Sequence, residues 1–296
     1  MTTLRADLES LSFPQGITTV GVELEGYWER PEQEEYMDMT DMQDCEDCYR
    51  DEDGEISEWC YNHDPYHQGS NLYDHLGIKS DGSVHCDGHW PEDYYVAGEA
   101  VSHVLHSWAG LCRWLDGAYP YGADYKTGMH VHMGCTKQLL DFSFDPHYWE
   151  HLKATLLAVG KDCAPATRDW LQNRIYEGRS SEECDTRYCR PNEWSTYSRN
   201  ERYNAVNYTS FDCHGTMEVR VCPMAEDGYT PDGRFVDAAT QSLALIYGVL
   251  KATSDYWTSV NYWHRRVGSA TAMEDITLTD DPAVQVPPNT HRIVVV

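Results

Sequence analysis

With 296 residues, 41% hydrophobic and 12% aromatic, the chain can bury a substantial core, which excludes a disordered polymer. Its 22 basic residues against 49 acidic ones leave a formal charge of −27, which repels phosphate backbones and argues against nucleic acid as a partner. No apolar run is long enough for a bilayer, Met1 to Phe13 lack a secretory-signal pattern, and eleven cysteines in that setting point to reduced thiols in a cytoplasm.

In chain order, Ile17 to Glu25 alternates apolar and polar like a half-buried strand. Between Glu29 and Asp64 there are 15 acidic residues against Arg30 and Arg50, with little apolar periodicity. Residues 29–73 therefore read as an insertion dividing a main domain formed by 1–28 and 74–296. Turn chemistry follows at Asp81-Gly82. Val101, Val104, Leu105, Trp108, Leu111, Cys112 and Leu115 recur at helical spacing and predict a helix ending near Gly117. Met129 to Gly134 alternates again, and Trp149, Leu152, Leu156 and Val159 form a second helical stripe. Residues 165–199 carry charge and cysteine without clear periodicity. Thr216 to Cys222 predicts a strand, and Val236, Ala239, Leu243, Ile246 and Leu250 a third helix. Residues 280–296 read as loop, with a short strand at 293–296. This irregular alternation predicts an α+β fold with a curved, largely antiparallel sheet covered by helices on its outer face.

Strand alternation puts chemistry on one side of three segments. Glu23 and Glu25 share a face, as do His130 and His132, and Thr216, Glu218 and Arg220. Taken singly, each strand reads more simply as an ordinary solvated sheet face. Together they hold few of the Lys, Thr and Ser residues usual on such faces, and His-x-His beside paired glutamates points to a metal. Hard carboxylate oxygens suit Mg²⁺ or Mn²⁺, and the planar fork of Arg220 suits a phosphate.

Within the insertion, Cys45-x-x-Cys48 is followed by Cys60-x-x-His63, the spacing of a four-ligand structural zinc site, with His67 an alternative fourth ligand. Zinc would order a segment too acidic to build a core. Cys184 and Cys189 form a weaker pair that could join Cys213 or Cys222; ordinary thiols are the simpler reading.

The motifs GVELE (21–25), DGS (81–83), GEAVS (98–102), GMHVH (128–132), RYNAVN (202–207) and GTMEVR (215–220) occur in this order. Together they resemble the carboxylate–amine ligases of the glutamine synthetase-like fold, most closely the amidoligases of phages and bacteria. The resemblance implies an ATP-dependent ligase that forms an amide through an acyl phosphate. It implies Glu23, Glu25, Glu99, His130 and Glu218 as ligands of two Mg²⁺ or Mn²⁺ ions. Arg202, Arg220, His132 and Asn207 would surround the nucleotide, with both arginines also acting in catalysis. Asp81 would hold the amine and help to deprotonate it. The implied substrates are a small-molecule or peptide carboxylate and an amine, with a protein substrate conceivable, in a cytoplasm (the host's, for a phage protein). One departure stands out: the helical stretch after Glu99 reads His103, His106, Ser107 and Trp108, where glutamine synthetase supplies another carboxylate. Alternatives are a phosphotransferase of the same fold, a metal hydrolase built on the His130–His132 pair, and a non-catalytic binding module.

Overall fold

A computed structural model describes residues 2–30, 49–50, 56–58, 77–79, 84–86, 88–92, 94–135, 146–177, 179–181, 184–188 and 204–268. The chain enters through helix α1 (Thr2–Glu9) and strand β1 (Ile17–Glu29), followed by the short strands β2 (Tyr49–Arg50) and β3 (Ile56–Glu58). Then come β4 (Tyr95–Val101), α2 (Trp108–Ala118), β5 (Gly128–Cys135), α3 (Pro146–Gly160) and α4 (Pro165–Tyr176). A second short pair, β6 (Arg179–Ser181) and β7 (Cys184–Tyr188), precedes β8 (Val206–Asn207), α5 (Thr209–His214) and β9 (Thr216–Pro223). The hairpin of β10 (Gly228–Tyr229) and β11 (Phe235–Val236) leads into α6 (Ala238–Gly268).

The architecture is α+β. Five strands form one antiparallel sheet in the order β4-β1-β5-β9-β8. One face presents Val20, Val22 and Leu24 from β1, Met129, Val131 and Met133 from β5, and Met217, Val219 and Val221 from β9. These join a single buried cluster with Trp108 and Leu111 of α2, Leu152 and Leu156 of α3, and Ile246 and Val249 of α6. Full burial of each such side chain contributes about 1.5–3 kcal/mol, so this face holds the sheet to its helices. Thr253 of α6 donates to the Met133 sulfur at 3.5 Å and its hydroxyl meets the Tyr148 hydroxyl at 2.8 Å, tying α6 to the sheet and to α3. No helix among the described residues is long and apolar enough to cross a membrane.

The structure corrects the predicted helix over 101–115. Val101 ends strand β4, Val104 is 60% exposed, and Leu105 pairs with Val20 as an isolated bridge. The helix starts only at Trp108, where the Ser107 hydroxyl accepts the Gly110 amide and caps the first turn. Spacing alone cannot distinguish an edge-pairing segment from the turn before a helix. The third helix begins two residues later than its stripe, at Ala238, because Asp237 accepts the Thr240 amide at 2.8 Å and Val236 is still in β11. Helix α4 emerges from the segment without periodicity, begun by Pro165 at its first turn. The expectation for 280–296 and the far boundary of the insertion, at 73, lie outside the described residues; at its near boundary β1 runs on through Glu29, paired with Tyr95 of β4.

Candidate metal centre

The face opposite the helices carries the ionisable groups, and its burial decides between site and solvated sheet. Glu25 is 2% exposed, His130 5% and Glu218 3%. Charged groups are buried to that extent only when they compensate one another or a ligand.

Register brings them together. Glu23 stands opposite His130, Glu25 opposite Glu99, and Glu218 opposite both His132 and Asn207. Between Met129 and Val131 the β5–β9 register slips by one, so Arg220 and Val221 of β9 share the place opposite His130. Such a bulge bends its strand and re-aims a side chain. Here Arg220 lies beside Glu218, donating from Nη1 to Oε1 at 2.7 Å. Gly215, left-handed at φ 67°, ends α5 and turns the chain into β9 three residues before Glu218.

His130 lies among three carboxylates. Its Nδ1 is 2.9 Å from Glu23 Oε2 and 3.5 Å from Glu218 Oε1, and its Nε2 is 3.5 Å from Glu25 Oε1. His132 faces two of the same groups, with Nε2 3.2 Å from Glu23 Oε1 and 4.0 Å from Glu218 Oε1. That Nε2 is buried and misaligned for a hydrogen bond, despite its closeness to Glu23. Glu23, His132 and Glu218 offer ligand atoms that all lie within 4.8 Å of one another. Two carboxylates and an imidazole whose buried Nε2 lacks an aligned hydrogen bond fit a hard or borderline divalent cation such as Mg²⁺ or Mn²⁺.

The supporting contacts are specific. Asn207, expected near the nucleotide, donates from Nδ2 to Glu218 Oε2 at 2.6 Å. Its own Oδ1 accepts the Thr209 amide and hydroxyl at 2.9 and 2.7 Å, so the start of α5 fixes it. Glu25 accepts the Gly128 amide at 2.6 Å through Oε2. Glu99 is half-buried and pairs through its backbone with Lys79, at 2.7 and 2.8 Å. Asp81, Arg202 and the zinc-spaced Cys45, Cys48, Cys60 and His63 lie outside the described residues, as do Cys189 and the side chains of Cys184 and Cys213. Cys222 packs in the core.

Two groups shift in a coupled way. Burial alone would raise the Glu23 acid, but the hydrogen bond with His130, the close approach of His132 and the charges of both rings outweigh it and hold the carboxyl well below its usual range. Burial alone would lower the His132 pKa, but the close Glu23 carboxylate and the charges of Glu218 and Glu23 raise it. For Glu23, the depressed pKa contributes stability that is present above its unfolded value, about 4.3, and lost as pH falls toward the folded one. For His132, the raised pKa contributes stability that is complete below about 6.5 and lost as pH rises through the folded value. Both are complete between roughly pH 4.5 and 6.5. A divalent cation bound through Nε2 would displace the His132 proton. We therefore expect the thermal shift caused by Mn²⁺ to grow from acid to neutral pH and beyond, and to lose that growth in His132→Gln. Differential scanning fluorimetry across pH, with and without Mn²⁺, measures both; a shift independent of pH would contradict the assignment of His132.

Sequence reasoning missed Arg174, a buried cation on α4 that reaches the start of β5. Its signal was present in Leu171 and Ile175, which mark a helical face beside it. Comparison with protein-family models, with curated proteins and with solved structures finds no match for this chain.

Proposed function

We propose that this chain is an ATP-dependent, Mg²⁺- or Mn²⁺-dependent carboxylate–amine ligase with a glutamine synthetase-like fold. One observation carries the reading: Glu23, Glu25, His130, His132, Glu218 and Arg220 gather on one face of an antiparallel sheet, with Glu25, His130 and Glu218 buried there. The order of motifs along the chain supports it further.

A bound divalent cation would supply charge neutralisation at the nucleotide phosphates, so that a substrate carboxylate can be activated as an acyl phosphate. Glu23, His132 and Glu218 are the residues that would hold it, with His130 alongside. Arg220 already balances one Glu218 oxygen, and a phosphate bound beside the cation would share its guanidinium. Asn207 keeps Glu218 turned toward the histidines. Arg202 is assigned to the phosphates and Asp81 to the amine, both on the resemblance alone. Glu25 and Glu99, opposite one another in register, are assigned to a second cation.

The structural zinc reading stands beside this one. Strands β2 and β3 pair Tyr49 with Glu58, directly after Cys48 and two residues before Cys60 in sequence. Such a hairpin suits two Cys-x-x-Cys/His pairs closing on one ion.

The test combines the protein with ATP, Mg²⁺ and a panel of carboxylates and amines, following phosphate release and product mass. The expected product is an amide whose formation requires ATP, metal and both substrates. Phosphoryl transfer without amide would identify a phosphotransferase, and hydrolysis without nucleotide would overturn the proposal.

A further inference from the structure

The mechanism above does not use the buried guanidinium of Arg174. It lies on α4 and is 4% exposed. Its Nη2 donates to three successive carbonyls, those of Tyr125, Lys126 and Thr127, at 3.3, 3.3 and 2.7 Å. Those residues lead directly into β5, and the amide of the next residue, Gly128, is the one that donates to Glu25. A Cβ on Gly128 would lie 2.8 Å from Arg174 Nη1 and 3.1 Å from Glu25 Oε2. Guanidinium and carboxylate therefore face one another over the bare Cα of Gly128, a closeness that any side chain would obstruct. The other oxygen of Glu25 is 3.5 Å from His130 Nε2. In so little water a guanidinium acts strongly on a carboxylate across this short gap and favours its ionised form.

We propose that Arg174 is the positioning residue for Glu25. Over Gly128, its charge holds one carboxylate oxygen against the Gly128 amide and so aims the other at His130 and the metal face. The geometry stands on the contacts just given, while its consequence for metal binding rests on the proposed function.

Two readouts separate the two. In ¹⁵N-glycine-labelled protein, the Gly128 amide, bonded to a carboxylate at 2.6 Å, should resonate far downfield among the 21 glycines. Glu25→Gln should move that resonance upfield and so assign it. Arg174→Gln should move it upfield as well, and Arg174→Lys, which keeps the charge but not the fork, should restore part of the displacement. Mn²⁺ affinity should fall about tenfold in Arg174→Gln, as for other residues that orient a ligand, and should fall no further when Arg174→Gln is added to Glu25→Gln. If Arg174→Gln does not fold, Arg174→Lys alone carries the test through a partial upfield displacement. A Gly128 resonance unmoved in the folded Arg174 variant, with only a lower Tm, would reduce Arg174 to a staple of the 125–127 loop and overturn the proposal. A wild-type protein that binds no Mn²⁺ would instead defeat the ligase reading, and the Gly128 resonance would still decide the role of Arg174.

Discussion

In Glu218→Gln, Mn²⁺ affinity is expected to fall by more than about 100-fold, the upper end of the loss seen when a mere supporting residue is removed. The reasoning starts from how fully Glu218 is used. Oε1 accepts from Arg220 at 2.7 Å and lies 3.5 Å from His130 Nδ1 and 4.0 Å from His132 Nε2. Oε2 accepts from Asn207 at 2.6 Å. Glutamine keeps the shape but replaces one acceptor with a donor, so either Arg220 or Asn207 then meets an N–H. A buried donor facing a donor costs about 1–3 kcal/mol, and the apo protein should melt earlier. Loss of the carboxylate charge is the larger effect for metal binding, because it also removes the charge that Arg220 meets beside the cation. The Mn²⁺-induced rise in Tm should vanish and metal-dependent ATP binding with it, measured by calorimetry and by the electron paramagnetic resonance of free Mn²⁺. Affinity within a few-fold of wild type would remove Glu218 from the site.

The legibility of this site follows from which features have a period. Alternation of two places Glu23 with Glu25, His130 with His132, and Glu218 with Arg220 without any knowledge of neighbours. It says nothing of strand order, and the site depends on β1 lying between β4 and β5, with β9 next. That order sets Glu23 against His130 and Glu25 against Glu99. The bulge opposite His130 left no mark in the sequence, since an extra residue in one strand is defined only by its partner. Strand β4 was missed because its neighbours bury both sides: Val96, Ala97 and Ala100 are all in the interior, and Gly98 and two alanines carry little strand preference. Helix α4 was missed for a related reason. Its buried positions include Thr167 and Arg174, so an apolar stripe is interrupted where the helix carries polar contacts to Glu226 and to the 125–127 loop.

The two histidines should separate when each is replaced by the amide that best copies its contact. His130 meets Glu23 through Nδ1 at 2.9 Å, and asparagine can place an N–H near that position. His132 presents Nε2 to Glu23 and Glu218, and glutamine reaches a similar distance but binds cations weakly. If the ligand set is Glu23, His132 and Glu218, His132→Gln should lose Mn²⁺ affinity by about 100-fold, and His130→Asn by about tenfold as a supporting group. The apo proteins should behave in the reverse order. His130 is the group that touches Glu23, Glu25 and Glu218 together, so its replacement leaves three carboxylates facing one another and should lower Tm more. Co²⁺ in place of Mn²⁺ gives a spectroscopic check, because loss of a nitrogen ligand shifts its visible bands and loss of a supporting contact does not. The family resemblance assigns the ligand to His130, and the geometry favours His132. A Co²⁺ spectrum altered in His130→Asn and preserved in His132→Gln would return the assignment to His130, and would mean that the cation draws Glu23 and Glu218 toward the other ring when it binds.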